Sequence, residues 1–281
     1  MTLGIDLHTH TTASDGALPP EELVALAALC GIAVLGITDH DTTAGLVPAR
    51  AAAAREGLTL VPGVEISTHH PAGELHILGY GISSDDQELE ALLARSRGSR
   101  VERAQRMLGL LASLGMPIGW DRVRALAGEG AVGRPHIAAA LQEAGHVRSV
   151  QEAFERYLGN GRPAYVPREK IGPCEAIAAI HRAGGVTVLA HPAELLPVTP
   201  ELVECGLDGL EAYYTGYSPD VTASIVAMAR AHGLICTGGS DFHGATVVPE
   251  NVLGDVEVPP HCHAQLQAAL SQLAAERQRS G

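Results

Sequence analysis

Histidines and carboxylates recur in this chain where one apolar run after another breaks off. His8 and His10 close the first run, and Asp15 follows in Thr12-Ala13-Ser14-Asp15-Gly16. Thr38-Asp39-His40-Asp41 closes the second, Glu65 the third, and His76 lies within the fourth. His191 follows Val188-Leu189-Ala190, while Asp241 and His243 sit in Gly239-Ser240-Asp241-Phe242-His243. Imidazole and carboxylate suit Mn, Fe or Zn, and no thiolate accompanies them. Side chains of an extended segment alternate faces with a period of two, so His8 and His10 share a face as a chelating pair. Nine such donors are too many for one ion, which implies two or three ions sharing a carboxylate. Cations held in this way lower the pKa of bound water and so suit hydrolysis.

Taken singly, each piece has a plainer reading. A lone His-x-His is weak. Thr38 and Asp39 suit the N-cap of a following helix, His76 fits a satisfied core histidine, and Asp241 fits a turn after Gly238-Gly239. Glu65, at the end of an apolar strand, resists that treatment, because burying an unpaired carboxylate is costly. The metal reading rests on the joint order.

The elements that must position these groups alternate. Beta-like runs are expected at Gly4–His8, Val34–Thr38, Leu58–Glu65, Glu74–Tyr80, Gly185–Ala190, Gly209–Tyr213 and Leu234–Gly238. Helices are expected from Leu18-Pro19-Pro20-Glu21-Glu22, with Pro and Glu in the favoured first turn, over an Ala-rich stretch to about Glu56, and near Cys174–Ala183 and Pro219–His232. Strand–helix alternation predicts an α/β fold with a parallel sheet and right-handed crossovers, open or closed into a barrel, with the active face at the carboxyl ends of the strands. Between about Gln87 and Pro167 the pattern changes to consecutive helices: Arg95–Leu114, Trp120–Ala127, Arg134–Glu143 and Ser149–Tyr157. They are expected to form an insertion over the barrel mouth. A last helix, about Ala264–Arg277, is expected on the outside. The division is therefore 1–86 with 168–281 as the metal-bearing domain and 87–167 as the insertion.

Composition narrows the class. Of the 281 residues, 46% are hydrophobic and 18% charged, which describes a globule rather than a disordered chain. No apolar run approaches the roughly 20 residues of a membrane helix, and Met1–His10 carries no basic export segment. A cytoplasmic location without membrane contact is expected. The five cysteines are scattered with no CxxC pair, so they read mostly as small core residues. A net charge of −13 argues against a broad basic face for double-stranded nucleic acid. No obligate protein partner is implied.

The motifs Asp6-Leu7-His8-Thr9-His10 with Ser14-Asp15-Gly16, Thr38-Asp39-His40-Asp41, Gly63-Val64-Glu65, His76-Ile77-Leu78-Gly79, Ala190-His191-Pro192 and Gly239-Ser240-Asp241-Phe242-His243 closely resemble the PHP (polymerase and histidinol phosphatase) family across nearly the whole chain. The resemblance implies a distorted (β/α)7 TIM-like barrel with a trinuclear divalent-metal centre, Mn2+ first and Fe2+ or Zn2+ as alternatives. It gives one metal His8, His10, Glu65 and Asp241, a second Glu65, His76 and His191, and a third Asp15, His40 and His243. Asp241, His191 and Glu65 take the catalytic role, with a hydroxide shared between metals expected to attack phosphorus in line.

Within the family, the helical insertion, Gly133-Arg134-Pro135-His136 and Tyr157-Leu158-Gly159-Asn160-Gly161 resemble the small phosphoesterases that act on nucleoside 3′,5′-bisphosphates or trim short RNA from the 5′ end. That likeness implies substrate contacts from Arg103, Arg106, Arg134 and His136, and a small phosphorylated substrate. The plainer reading of the arginines is a solvated helix face. One departure is His191-Pro192-Ala193-Glu194, where relatives often continue His-Pro with Gly-Arg. Alternatives are histidinol-phosphate phosphatase, cleavage of a non-phosphate bond, and a non-catalytic metal- or nucleotide-binding module.

Overall fold

Seven strands alternate with helices in the computed structural model, which describes residues 4–128, 132–167 and 171–280. The order is β1 (Gly4–Asp6), α1 (Pro20–Leu29), β2 (Ile32–Ile37), α2 (Leu46–Glu56), β3 (Thr59–His70), β4 (Gly73–Tyr80), α3 (Gln87–Ser113), α4 (Trp120–Ala127), α5 (Arg134–Glu143) and α6 (Val150–Ala153), which runs into a π-helical turn, Phe154–Leu158. Then come α7 (Pro173–Arg182), β5 (Val186–Leu189), a 3-10 turn at Ala193–Val198, α8 (Thr199–Glu204), β6 (Gly209–Tyr214), α9 (Pro219–His232), β7 (Ile235–Gly239) and α10 (Pro260–Ser280).

Local signals account for most boundaries. Pro20 opens α1 with Glu21 and Glu22 in its first turn, and α2 and α9 stop at Gly57 and Gly233, both left-handed. The Ser218 hydroxyl caps α9 by accepting the Val221 N–H. α3 begins eight residues before the expected Arg95: the Asp86 carboxylate accepts the Leu89 N–H at 2.8 Å and starts the helix there. The 3-10 turn and α8 were not expected.

The strands are hydrogen-bonded in chain order, β1 to β7, in one mostly parallel sheet. β1–β2, β2–β3, β5–β6 and β6–β7 are parallel. The all-parallel expectation fails at β4, which is antiparallel to both β3 and β5. The cause is chain length. β3 runs past Glu65 to His70, and only Pro71 and Ala72 separate it from β4, enough for a hairpin but far short of a parallel crossover. Beyond β1, the Leu7 N–H donates to the Gly238 carbonyl at 3.1 Å and the Asp241 N–H to the His8 carbonyl at 2.9 Å.

The chain divides into two compact units, Met1–Leu93 with Lys170–Gly281 and Ala94–Glu169. The first carries the sheet, and its core includes Leu7, Leu35, Ile66, Ile77, Leu189 and Leu210. The second is helical among the described residues, with its own core of Met107, Leu111, Val123, Ile137, Leu141 and Leu158.

The cysteine expectation needs correction. Cys174 and Cys205 are joined in a disulfide with Cα atoms 5.1 Å apart, and Cys30 is exposed. The fold brings the start of α7 beside the end of α8, a proximity that a 31-residue separation does not reveal. Cys236 and Cys262 are buried, as expected. Among the described residues, no helix is long and apolar enough to cross a membrane.

Candidate metal centre

The segments after the strands converge. His8 and His10, just past β1, are both fully buried, and their Nε2 atoms lie 3.2 Å apart. Gly239 and Gly16 permit this crowding. A Cβ on Gly239 would meet the His8 backbone at 2.4 Å, and one on Gly16 would meet the His10 carbonyl oxygen at the same distance. Glu65 Oε2 stands 3.4 Å from His8 Nε2 and 3.2 Å from His10 Nε2. Asp241 Oδ1 stands 3.2 and 3.1 Å from the same two nitrogens. Donors about 2.1 Å from one tetrahedral cation are about 3.4 Å apart, so these four atoms have the spacing of a coordination shell.

Two further groups adjoin the first. Glu65 Oε1 lies 2.8 Å from His76 Nδ1 and 3.4 Å from His191 Nε2, and Glu65 Oε2 lies 3.0 Å from His40 Nδ1. Asp15 Oδ1 lies 3.4 Å from His243 Nε2 and 3.9 Å from His10 Nδ1, with His40 Nε2 4.0 Å from Asp15 Oδ2. His8, His10, Glu65 and Asp241 form one set of donors able to hold an ion; His10, Asp15, His40 and His243 form another; His40, Glu65 and His76 form a third. The structure thus brings all nine sequence-expected ligands together, and groups His40 with Glu65 and His76 where His191 was expected. Glu65 belongs to two of these sets, as do His10 and His40.

The leftover polar atoms suit a cation. His10 Nδ1, Asp15 Oδ1, His40 Nδ1, His76 Nδ1 and both Glu65 oxygens are buried without a hydrogen-bond partner. So many unsatisfied polar atoms at one spot are rare unless an ion completes them. Burial would raise Glu65, but His40, His76 and His8 outweigh it and hold the carboxylate well below its ordinary range. Burial would lower His10, but the adjacent Asp241 and Glu65 carboxylates push it up to about 10. His76 is likewise raised to about 9 by Glu65. The carboxylates thus favour positive charge at His10 and His76, while burial lowers His40.

The backbone is specialised at the same places. Asp41, His191 and Asp241 are the non-glycine residues with positive φ among those described, at 53°, 32° and 53°. Such conformations are uncommon and cluster at functional sites. His243 Nδ1 donates to the Asp241 carbonyl at 2.8 Å, and its Nε2 is the nitrogen that faces Asp15 Oδ1 at 3.4 Å.

Several supporting residues escaped the sequence reading. Asp6 accepts from the Ser240 N–H and hydroxyl and from the Gly254 N–H, and Asp39 accepts from the Thr11 N–H, the Thr11 hydroxyl and the Ser14 hydroxyl. The Tyr214 hydroxyl donates to Asp241 Oδ2 at 2.9 Å. Glu211 touches both His8 and His191. A carboxylate inside the apolar strand Gly-Leu-Glu-Ala-Tyr-Tyr was the available signal for Glu211, the same one that marked Glu65.

The expected substrate residues lie in the helical unit. Arg103 is 6% exposed; its Nε–H donates to the Val166 carbonyl at 2.6 Å, and its guanidinium lies 5.4 Å from the Tyr165 ring centre. Arg106 is exposed on α3. Arg134 lies 5.7 Å over Phe154, and His136 Nδ1 accepts the Gly133 N–H at the start of α5.

These features give three sets of donors that could hold cations, and the comparisons supply the chemistry. The PHP domain model matches residues 6–117. The chain is 40% identical to the 5′-3′ exoribonuclease Rnm of Escherichia coli (strain K12), over 85% of this chain and 84% of that protein. It is 35% identical to the 3′,5′-nucleoside bisphosphate phosphatase of Chromobacterium violaceum, over 92% and 93%. A proposed metal-dependent phosphoesterase from Bifidobacterium adolescentis superposes with a TM-score of 0.86 at 33% identity, over 95% of this chain and 96% of that one. The chain belongs to the PHP family, and it is a phosphoesterase.

Proposed function

We propose that this chain hydrolyses the 3′-phosphate monoester of nucleoside 3′,5′-bisphosphates, using three divalent ions, Mn2+ first and Fe2+ or Zn2+ as alternatives. The observation that carries the metal part is Glu65: both its oxygens are buried, unpartnered, and surrounded by five imidazoles at 2.8–3.4 Å. In this reading His8, His10, Glu65 and Asp241 hold one ion, Glu65, His76 and His191 a second, and Asp15, His40 and His243 a third. Likeness to a bisphosphate phosphatase over nine-tenths of both chains supports the substrate. A second reading, 5′-3′ trimming of short RNA, is favoured by the likeness to an exoribonuclease.

Divalent ions bound here would supply an activated water near neutral pH and offset charge on the phosphate oxygens. The chain's part is to fix the donors. Asp241 presents Oδ1 to the His8–His10 pair while Tyr214 holds Oδ2, and Glu65 spreads its two oxygens across adjoining groups. Arg103, Arg106, Arg134 and His136 are the substrate contacts of this reading, Arg106 being the exposed one and Arg103 the most committed to its own unit. The same reading closes the seven strands into a distorted (β/α)7 barrel, supported by the hydrogen bonds from Leu7 and Asp241 that link the ends of β1 and β7, with residues 87–167 as a helical insertion.

The test is phosphate release from 3′-phosphoadenosine 5′-phosphate, 5′-phosphorylated dinucleotides and histidinol phosphate, with manganese-loaded and chelator-stripped protein. The bisphosphate should be the fastest substrate, and stripping should abolish turnover. Faster release from histidinol phosphate, or activity that survives stripping, refutes the proposal. Dinucleotide cleavage without release from the bisphosphate selects the RNA reading.

A further inference from the structure

Glu211, the third residue of β6, is fully buried in a strand otherwise free of charge. It is absent from all three donor sets, yet it contacts two residues that the proposed centre uses. Its Oε1 lies 2.9 Å from His8 Nδ1, and its Oε2 accepts the His191 backbone N–H at 2.8 Å. One side chain therefore ties the end of β1 to the end of β5.

The chemistry of each contact is directional. An ionised carboxylate only accepts, so the hydrogen in the first contact sits on His8 Nδ1. His8 Nε2 is then the atom that carries a free lone pair, and it is the atom that faces His10 Nε2, Glu65 Oε2 and Asp241 Oδ1. The second contact fixes a strained peptide. His191 has φ of +32°, a conformation uncommon for a non-glycine residue that persists only where neighbours hold it. The bond from its N–H to Glu211 is such a hold, and it aims the imidazole whose Nε2 approaches Glu65 Oε1.

We propose that Glu211 is a positioning residue that sets the His8 tautomer and holds the His191 backbone, so that both imidazoles present Nε2 to the cations. The role needs two acceptors on one rigid group. A glutamine of the same size has one acceptor and one donor: whichever way its amide turns, either His8 Nδ1–H or the His191 N–H loses its partner. This inference rests on the reading of the cluster as a metal centre.

The test titrates the chelator-stripped full chain with zinc against a chromogenic competitor and records 15N-histidine spectra of the zinc-loaded protein. Glu211→Gln should weaken zinc affinity about 10–100-fold, the usual loss when an orienting partner of a ligating histidine is removed, with an unchanged circular dichroism spectrum. In the zinc-loaded wild type, His8 should carry its proton on Nδ1. Zinc affinity of Glu211→Gln within twofold of wild type overturns the proposal, as does a wild-type His8 protonated on Nε2. Should Glu211→Gln fail to fold, Glu211→Asp, one methylene too short to span both partners, takes its place with the same thresholds. A wild type that takes up no zinc refutes the metal centre itself, and this role with it.

Discussion

The strand-end face of the first unit and the helices of the second treat charge in opposite ways. Around Glu65, five histidines and a second carboxylate are packed with side chains from fully buried to about a quarter exposed. In the helical unit two ion pairs lie on the surface: Arg122 and Glu143, paired at 2.6 Å, are about half exposed, and Arg156 meets Glu152 one helical turn away. An exposed pair is solvated with or without its partner and is worth little. A buried cluster rich in acceptors has no such refuge, and a missing countercharge there is severe. The first arrangement therefore suits a bound cation, while these two exposed pairs of the second are satisfied by each other and by water.

The sharpest way to break the contrast is to remove charge from the buried cluster. Burial alone would raise Asp241, but His8 and His10 draw its carboxyl well below the usual range. Asp241→Asn keeps the shape and removes the charge. Turnover should fall about a thousand-fold, the several kcal/mol that a bound cation contributes to phosphate chemistry, and bound metal measured by plasma mass spectrometry should drop. Wild-type turnover with full metal content would mean that Asp241 has no part in the centre.

Proton linkage tests the same cluster without mutation. His10 and His76 are raised to about 10 and about 9 from an ordinary value of 6.5. For raised histidines the sign is fixed: in stripped protein their stabilisation is complete below about pH 6.5 and disappears as pH climbs through 9 to 10. A cation takes the place of those protons, so binding releases them. Between pH 7 and 8, affinity for manganese should rise about tenfold per proton released, and about 100-fold for two. A fluorescent-chelator competition at both pH values measures it. An affinity that ignores pH would show that these imidazoles are not ligands.

The same contrast explains what the sequence revealed. Strand ends were legible because apolar runs stopped at histidine or carboxylate, and Glu65 stood out because its burial needed a reason. The antiparallel β4 lay hidden in a spacing: eight residues separate Glu65 from Glu74, and extending β3 to His70 leaves room only for a turn. Asp6 and Glu211 went unassigned, and Asp39 passed for an N-cap, because their roles depend on contacts from distant segments, such as Ser240 reaching Asp6 and Thr11 reaching Asp39. In the helical unit, Arg103 and Arg106 looked alike three residues apart on α3. Only packing separates them, and pattern cannot supply that.

Tyr214 extends the buried layer outward. Its hydroxyl donates to Asp241 Oδ2, and its ring meets the His191 ring edge-on at 5.6 Å. Tyr214→Phe keeps the ring and deletes the donor. The expected loss is about tenfold in kcat, the roughly 1.5 kcal/mol of a hydrogen bond to a charged acceptor, with KM and thermal stability nearly unchanged. An unaltered kcat would show that Asp241 needs no second partner.

The smallest effects belong to the helical unit, where Arg103 and Arg106 should part company. Arg103 is buried, bonded to the Val166 carbonyl and set beside Tyr165, so Arg103→Met leaves that carbonyl short of a donor and should cost about 1–3 kcal/mol of stability. Its signature is a lower Tm. Arg106 is exposed, so Arg106→Ala should leave Tm in place and, if its guanidinium meets the substrate phosphate, raise KM up to about fivefold in a screened setting. Arg122→Ala, which cuts an exposed pair with Glu143, should move neither quantity and serves as the baseline. The assay is a pairing of thermal melts with initial rates on 3′-phosphoadenosine 5′-phosphate. If Arg106→Ala matches Arg122→Ala in both, α3 contributes no phosphate contact through Arg106. If Arg103→Met lowers Tm but leaves KM unchanged, Arg103 only packs the helical unit and drops out of the proposed substrate contacts; a KM raised without a lower Tm would show that its bond to Val166 adds nothing to stability.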